Sequence, residues 1–383
     1  MKIALVSNIF NHHQKYLSDA LYSLTDGQFC FVATKAMTNQ LKNLGYQQFS
    51  EIPYLINAYE SEEKEAFAME QILSADIVIA GSAPSRFIKQ YKKSSKPLLM
   101  YTERPFKKQD SLPVHILRFL KWKLSRLETK NTYILCAGAF AYYDYSKYNM
   151  FKNKAYKWGY FAQTQEYDIS SLIGHKKKTA ILWMGRFLDW KHPDDVLRLA
   201  KMLKDAGCSF SIDIGGTGEM ESDLKAMAQE MNLSDCVTFL GPIPSDKVRS
   251  RMEEAGIYLF TSDRQEGWGV VLNEAMNSGC AVVASHLIGS APLLIENGKN
   301  GLLYHSGDVE DLFNKVKLLL EKYDEQERLG KAAYETIVNE WNPAIAAERV
   351  FELSKRLVSG EKHPDLNTSG PCGKAELLSE DWF

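Results

Sequence analysis

The chain has 383 residues, 45% of them apolar and 25% charged, with a formal net charge of −2. That length accommodates two domains with separate cores, and the near-neutral balance offers no bulk-charge case for a nucleic-acid partner. Its six cysteines form no C-x-x-C pair, and several lie in apolar strand-like runs, so buried reduced thiols are the simplest reading; no apolar run is long enough to cross a bilayer.

Taken in chain order, Lys2–Val6 predicts a first strand. It is too short to be a signal-peptide core, so a cytoplasmic protein is expected. Ser7 to His13 follows as a loop, with His12 and His13 adjacent at the end of that strand. Further strands are expected at Phe29–Ala33, Asp76–Ala80, Pro97–Tyr101 and Thr132–Leu135. Helical patterns fall between them at Gln14–Leu24, Glu62–Leu73, Ser85–Tyr91 and Val114–Leu127. Such alternation argues for a parallel sheet with helices on both faces. Residues 86–130 hold thirteen Lys or Arg against Glu103, Asp110 and Glu128. Within them, Phe119, Leu120, Trp122 and Leu124 mix with Arg118, Lys121, Lys123 and Arg126. Two readings fit: a helix on an anionic membrane surface with Trp122 in the interface, or a solvated helix packed on its own domain.

Gln163–Lys178 reads as a polar linker ending in the basic run Lys176–Lys178. After it the same grammar restarts. Strands are expected at Ala180–Trp183, Ser209–Ile214, Val237–Leu240, Ile257–Phe260 and Ala281–Ala284, with helices at Asp194–Ala206 and Glu219–Met231. Gly185-Arg186 closes the first of these strands, and Lys191 follows five positions later. Arg and Lys in such a turn suit phosphate oxygens, the first as a bidentate fork and the second as a mobile point charge. Gly215-Gly216-Thr217-Gly218 is a second glycine-rich turn, and its spacing does not fit the dinucleotide fingerprint. Glu266 and Glu274 stand eight positions apart around Gly267, Gly269 and the start of a helix over Val270–Ser278. Eight residues approximate an integral number of helical turns, which would bring the two carboxylates to one face. Gly279 is a plausible end of that helix. A last helix is expected over Ala344–Val358, after Trp341-Asn342-Pro343.

From Glu266 to Met276 the chain resembles the E-x7-E signature of retaining glycosyltransferases of family 4, which have the GT-B fold. The likeness runs through residues 178–345 and thins before them. It implies two doubly wound Rossmann-like α/β domains facing across a cleft. The expected boundaries are 1–168 for the acceptor domain and 169–342 for the donor domain. A helix over 343–359 would cross back to the first domain, and 360–383 would form a tail. By this resemblance Arg186 and Lys191 clamp the donor diphosphate, Glu274 holds the ribose, and Glu266 lies by the transferred sugar. Gly185, Gly216, Gly267, Trp268, Gly269, Val270, Pro242 and Ile243 would line the donor site. Packing is the favoured role for the Trp268 side chain. His192 replaces the glycine usual after the lysine. Glu103 occupies the position of a family histidine near the reacting sugar and could equally pair with Arg104. His12 and His13 are acceptor-site candidates.

The resemblance implies a retaining, metal-independent hexosyltransferase with no cofactor beyond its nucleotide-sugar co-substrate, UDP-linked by family frequency. The acceptor would be a glycan, a glycolipid or another hydroxyl compound, and the protein cytoplasmic, with peripheral attachment to the inner membrane face if residues 86–130 dock there. Two alternatives are a non-catalytic glycan- or nucleotide-binding regulatory protein and a nucleotide-sugar epimerase of the same fold. A phosphorylase would require a pyridoxal-binding lysine context that the sequence does not offer.

Overall fold

In the computed structural model, residues 1–38, 49, 51–108, 112–125 and 127–383 are described. Asp110 and Arg126 of the basic segment lie outside them. Met1–Gln163 with Asn342–Trp382 forms one compact unit, and Thr164–Trp341 forms another.

The first unit holds seven parallel strands: β1 (Ile3–Ser7), β2 (Phe29–Ala33), β3 (Leu55–Asn57), β4 (Ile77–Ala80), β5 (Leu98–Thr102), β6 (Thr132–Ala137) and β7 (Ala155–Trp158). Their order is β3-β2-β1-β4-β5-β6-β7. β1, β2, β4 and β6 are buried along their whole length, which is why they read as continuous apolar runs rather than as alternation. β3 and β7 are only three and four residues long and left no such signal.

The second unit holds β8 (Lys177–Met184), β9 (Ser211–Gly215), β10 (Val237–Gly241), β11 (Ala255–Phe260), β12 (Ala281–Ser285) and β13 (Leu302–Tyr304) in the order β10-β9-β8-β11-β12-β13. Strand order reverses between β8 and β11, and in doubly wound sheets ligands bind outside the carboxyl ends at such a point. The register matters here. Met184 pairs with Gly215, Trp183 with Leu259, and Phe260 with Ala284. The loops after β8, β9, β11 and β12 therefore leave the sheet at one level.

Helix Pro193–Asp205 begins with proline in its first turn, followed by Asp194 and Asp195 against the positive end of the helix dipole. It buries Val196, Leu197, Leu199, Ala200 and Leu203 in the core of the second unit. Helix Pro343–Val358 is capped by Asn342, whose Oδ1 accepts from the Ile345 amide at 3.0 Å. It packs on helix His12–Leu24 within the first unit. The tail then runs antiparallel to β7: Lys157 N donates to Gly373 O at 2.7 Å, and Cys372 N donates to Lys157 O at 2.8 Å.

Three expectations are corrected. The polar stretch 163–178 is not a bare linker. Asp168 caps a helix over Ile169–His175, and Lys176 is buried, donating to the carbonyls of Met252, Glu253 and Ala255 at 2.7, 3.2 and 2.9 Å. A lysine that caps the end of another helix reads from sequence like a solvated one. His12 and His13 do not sit in a loop: Asn11 caps a helix that begins with them, its Oδ1 accepting from His13 N at 2.9 Å. Trp122 turns inward, against Phe106, Tyr145 and Tyr148.

Candidate active site

Gly185 to Lys191 leaves the carboxyl end of β8 as a loop closed by a short 3-10 turn over Asp189–Lys191. The loop after β9 presses on it. A Cβ on Gly216, at φ +137°, would lie 1.8 Å from the carbonyl oxygen of Gly185. Only glycine fits there. Phe187 N donates to Thr217 O at 3.0 Å, which ties the two turns together.

On the other side of the switch point, β11 runs into Thr261–Val270. The two loops are joined at several places. Asp263 N donates to Trp190 O at 2.9 Å, and the Thr261 hydroxyl donates to Lys191 O at 2.6 Å. Trp183, buried in the core, donates its indole N–H to the Thr261 hydroxyl oxygen at 2.8 Å. At the centre, Lys191 Nζ lies 2.5 Å from Glu266 Oε2, with each side chain 13% exposed. Ser262 Oγ donates to the same carboxylate oxygen at 3.1 Å. The ammonium also sits over the Trp190 ring, 4.5 Å from its centroid. Beside this pair, His192 Nε2 stands 3.6 Å from Asp263 Oδ2. The hydrogen bond to Asp263 raises the His192 pKa, against burial, with Asp195 and Asp194 adding to the effect.

Arg186 is exposed at the loop tip and has no side-chain partner among the described residues. Glu274 lies in the first turn of helix Val271–Asn277, half-buried. Burial pushes its pKa up, with the Arg249 charge opposing. Glu266 and Glu274 are not a helical pair, because residues 266–270 form a turn and the helix starts only at Val271. Helical periodicity therefore does not relate the two carboxylates; the course of the turn does. Gly269 takes φ +82°, and a Cβ there would lie 2.4 Å from the Phe260 ring. The Trp268 side chain is buried against Trp341, ring centroids 5.6 Å apart, and donates to Asn273 Oδ1 at 2.9 Å. Pro242 is exposed and Ile243 half-buried after β10, whose end pairs with β9 through Gly216 N and Gly241 O at 2.8 Å.

Motif reading missed Ser262, Asp263 and the loop after β12. Gly289 N donates to Glu266 O at 3.1 Å, and a Cβ on Gly289 would fall 1.9 Å from Gly267 O. The usable signal was the small, polar Gly289-Ser290 pair a few residues beyond a buried strand.

The first unit carries its own candidates. Glu103 follows β5 and accepts from Tyr160 OH at 2.8 Å, with Lys107 as its ion-pair partner. It does not pair with Arg104, which is buried against Asp144 at 3.2 Å and reaches Glu380 at 2.7 Å. The rings of His12 and His13 lie with centroids 3.9 Å apart, tilted by 52° to one another. Burial lowers both pKa values, and burial together with His12 takes His13 down to about 3. Both rings are thus neutral at physiological pH. No cluster of metal-ligating side chains occurs among the described residues.

Two parallel, doubly wound sheets of seven and six strands are the architecture of GT-B proteins. TarM matches with a TM-score of 0.67 at 12% identity, covering 94% of this chain and 99% of its own. Anabaena Alr3699/HepE, solved in complex with UDP, matches with a TM-score of 0.66 at 15% identity, covering 93% and 100%. Residues 165–336, which lie in the second unit, match the family model for glycosyl transferases group 1. The amylovoran biosynthesis glycosyltransferase AmsK of Erwinia amylovora is 31% identical over 182 residues, 46% of this chain and 44% of AmsK. The sulfoquinovosyl transferase SQD2 of Arabidopsis thaliana is 30% identical over 195 residues, 50% of this chain and 36% of SQD2. The aligned region thus spans less than half the length of either relative.

Proposed function

We propose that this chain is a retaining glycosyltransferase that moves a hexose from a UDP-linked donor to a hydroxyl of a glycan or glycolipid. The observation that carries this is the Lys191–Glu266 pair at the point where strand order reverses in the second unit. Support for the nucleotide comes from Alr3699/HepE, solved with UDP and with UDP-glucose.

In this reading the donor diphosphate meets Arg186 and Lys191, whose charges neutralise the leaving group in place of a metal. Glu274 accepts from the ribose hydroxyls. Glu266, held by Ser262 and Lys191, faces the sugar as charge develops at its anomeric carbon. The bond from that carbon to the β-phosphate oxygen breaks. The acceptor oxygen bonds to the same face, and its proton passes to the departing phosphate oxygen. Positioning and charge neutralisation then supply most of the rate. Glu103 and the neutral pair His12 and His13 are the acceptor-side candidates. The presence of Arg186, Lys191, Glu266 and Glu274 together favours turnover over a binding-only protein.

Nucleotide release from a panel of donor sugars, with and without glycan and glycolipid acceptors, tests the proposal. We expect acceptor-dependent UDP release, lowered on the order of a hundredfold or more in Lys191→Ala. Release unaffected by that change removes Lys191 from the diphosphate site. Epimerised donor appearing without release makes the chain an epimerase.

A further inference from the structure

Helix Leu112–Leu124 is apolar on both sides. Its inner side is accounted for. His115 stacks on Phe106 with centroids 4.2 Å apart and shares a hydrogen bond with Tyr148 OH at 2.7 Å. Trp122 packs on Tyr145 at 5.1 Å, Phe119 on Tyr148 at 5.1 Å, and Arg118 donates to Pro105 O at 2.6 Å. These contacts lock the helix in rotation, so its outer side is fixed as well.

That outer side is a stripe at helical spacing: Leu117, Leu120 and Leu124, 67%, 49% and 85% exposed, bordered by Val114 and Ile116. Of the eleven large apolar side chains exposed among the described residues, five lie on this one helix and the other six are scattered. Isolated exposed leucines are ordinary, but a contiguous stripe marks a contact surface. Its border is cationic. At about 100° per residue, Lys121 and Lys123 fall on opposite sides of the stripe. Neither has an ion-pair partner among the described residues, and the helix contains no acidic residue.

We infer that this face docks on an anionic lipid surface, with Leu117, Leu120 and Leu124 entering the headgroup–acyl boundary and Lys121 and Lys123 meeting lipid phosphates. Trp122 stays in the protein. Charge complementarity selects lipid over a second copy of the chain. A two-fold contact through this stripe would set the lysines of one copy against those of the other, whereas an anionic leaflet supplies the opposite charge. No helix among the described residues is long and apolar enough to cross a membrane, so the attachment is interfacial. The inference does not depend on the transfer reaction. On the transferase reading it would bring the enzyme to a lipid-borne acceptor.

Co-sedimentation of the full chain with vesicles of phosphatidylcholine and phosphatidylglycerol tests it, against phosphatidylcholine alone. We expect binding to the anionic vesicles that weakens as salt rises. Leu117→Asp with Leu124→Asp should abolish it. Both side chains point to solvent, and an unchanged melting temperature would show that the variant is folded. Lys121→Gln with Lys123→Gln, which leaves the leucine stripe intact and gives up only the cation–π contact of Lys123 with Phe119, should lower the partition about thirtyfold at low salt, from about 1 kcal/mol per cation near the surface. Failure to sediment at low salt overturns the inference, as does equal binding to neutral vesicles or binding retained by the double leucine variant. A lipid-free dimer that dissociates on the leucine changes assigns the face to a second copy instead. Donor turnover plays no part in the readout, so failure here leaves the transferase proposal standing, and the reverse holds.

Discussion

His192 is where local conformation and site chemistry meet. It takes φ +48°, in the left-handed region, between the 3-10 turn that ends at Lys191 and the helix that starts at Pro193. Glycine is the residue that enters that region without strain. Histidine does so here while its ring reaches Asp263 on the Glu266 loop, forming a second link beside Lys191–Glu266. The pH dependence follows from the two shifts. His192 titrates above its ordinary 6.5, so its contribution is complete below that value and is lost as pH rises through the folded-state pKa. Asp263 titrates below its ordinary 3.8: burial works against this, but hydrogen bonds from His192 and Gln265 prevail. Its contribution is present above 3.8 and lost as pH falls through its folded-state pKa. His192→Asn keeps a side chain tolerant of positive φ and removes the titration. It should lower the melting temperature by about 2–4 °C for a pair worth about 1 kcal/mol, between roughly pH 4 and 6.5, and cost nothing at alkaline pH. Thermal melts of both proteins across that range decide it; a gap that does not change with pH would leave the pair without energetic weight.

At the scale of elements, the tail shows what a sheet edge requires. β7 ends the seven-strand sheet and would present unpaired amides and carbonyls. Residues 372–375 cover them: Lys157 exchanges two hydrogen bonds with Gly373 and Cys372, and Ala375 N donates to Ala155 O at 3.0 Å. Tyr133 and Tyr156 donate their hydroxyls to the carbonyls of Lys362 and Pro364, each at 3.0 Å. Cys372 is fully buried. Five such bonds at about 1 kcal/mol each offset only part of the entropy of ordering the segment, and the burial of Pro364 and Gly370–Gly373 adds to them. Deleting residues 361–383 should therefore lower the melting temperature by about 6–15 °C and promote aggregation through the bared edge. Differential scanning calorimetry with light scattering measures both. An unchanged melting temperature would show that the tail is only draped on the surface. None of this pairing was legible in the sequence: the tail is rich in Gly, Pro and Ser, and its partners lie more than 200 positions away.

At the scale of the molecule, the chain path makes the two units unequal. Thr164–Trp341 is continuous, whereas the first unit is closed by Asn342–Trp382 arriving from the far end of the chain. Helix Pro343–Val358 covers helix His12–Leu24, where Leu17 and Leu21 are buried. Each buried leucine contributes about 1.5–3 kcal/mol. A fragment of residues 164–341 should therefore fold alone and bind UDP with an affinity near that of the full chain, and Glu274→Ala should weaken binding equally in both. A fragment of residues 1–163 should be insoluble or molten. Titration calorimetry and circular dichroism test the pair. A fragment 164–341 that folds but does not bind UDP would place essential donor contacts outside the second unit.

Residue order by itself determined the class of fold. Buried parallel strands must be continuous apolar runs, and the crossover helices between them must be amphipathic, so Lys2–Val6, Phe29–Ala33, Ile257–Phe260 and Ala281–Ala284 stand out in any reading. It also marked Gly216 and Gly269, since only glycine suits a positive φ against a neighbouring backbone or ring. What tertiary structure alone decided was which distant groups meet. Lys191 and Glu266 are 75 positions apart and touch because β8 and β11 are neighbours in register. Lys176 is buried and Trp122 faces inward because other elements supply carbonyls and aromatic rings to receive them. Periodicity reports which face of an element is apolar. It does not report what lies opposite, and charges, caps and sheet edges depend entirely on what lies opposite.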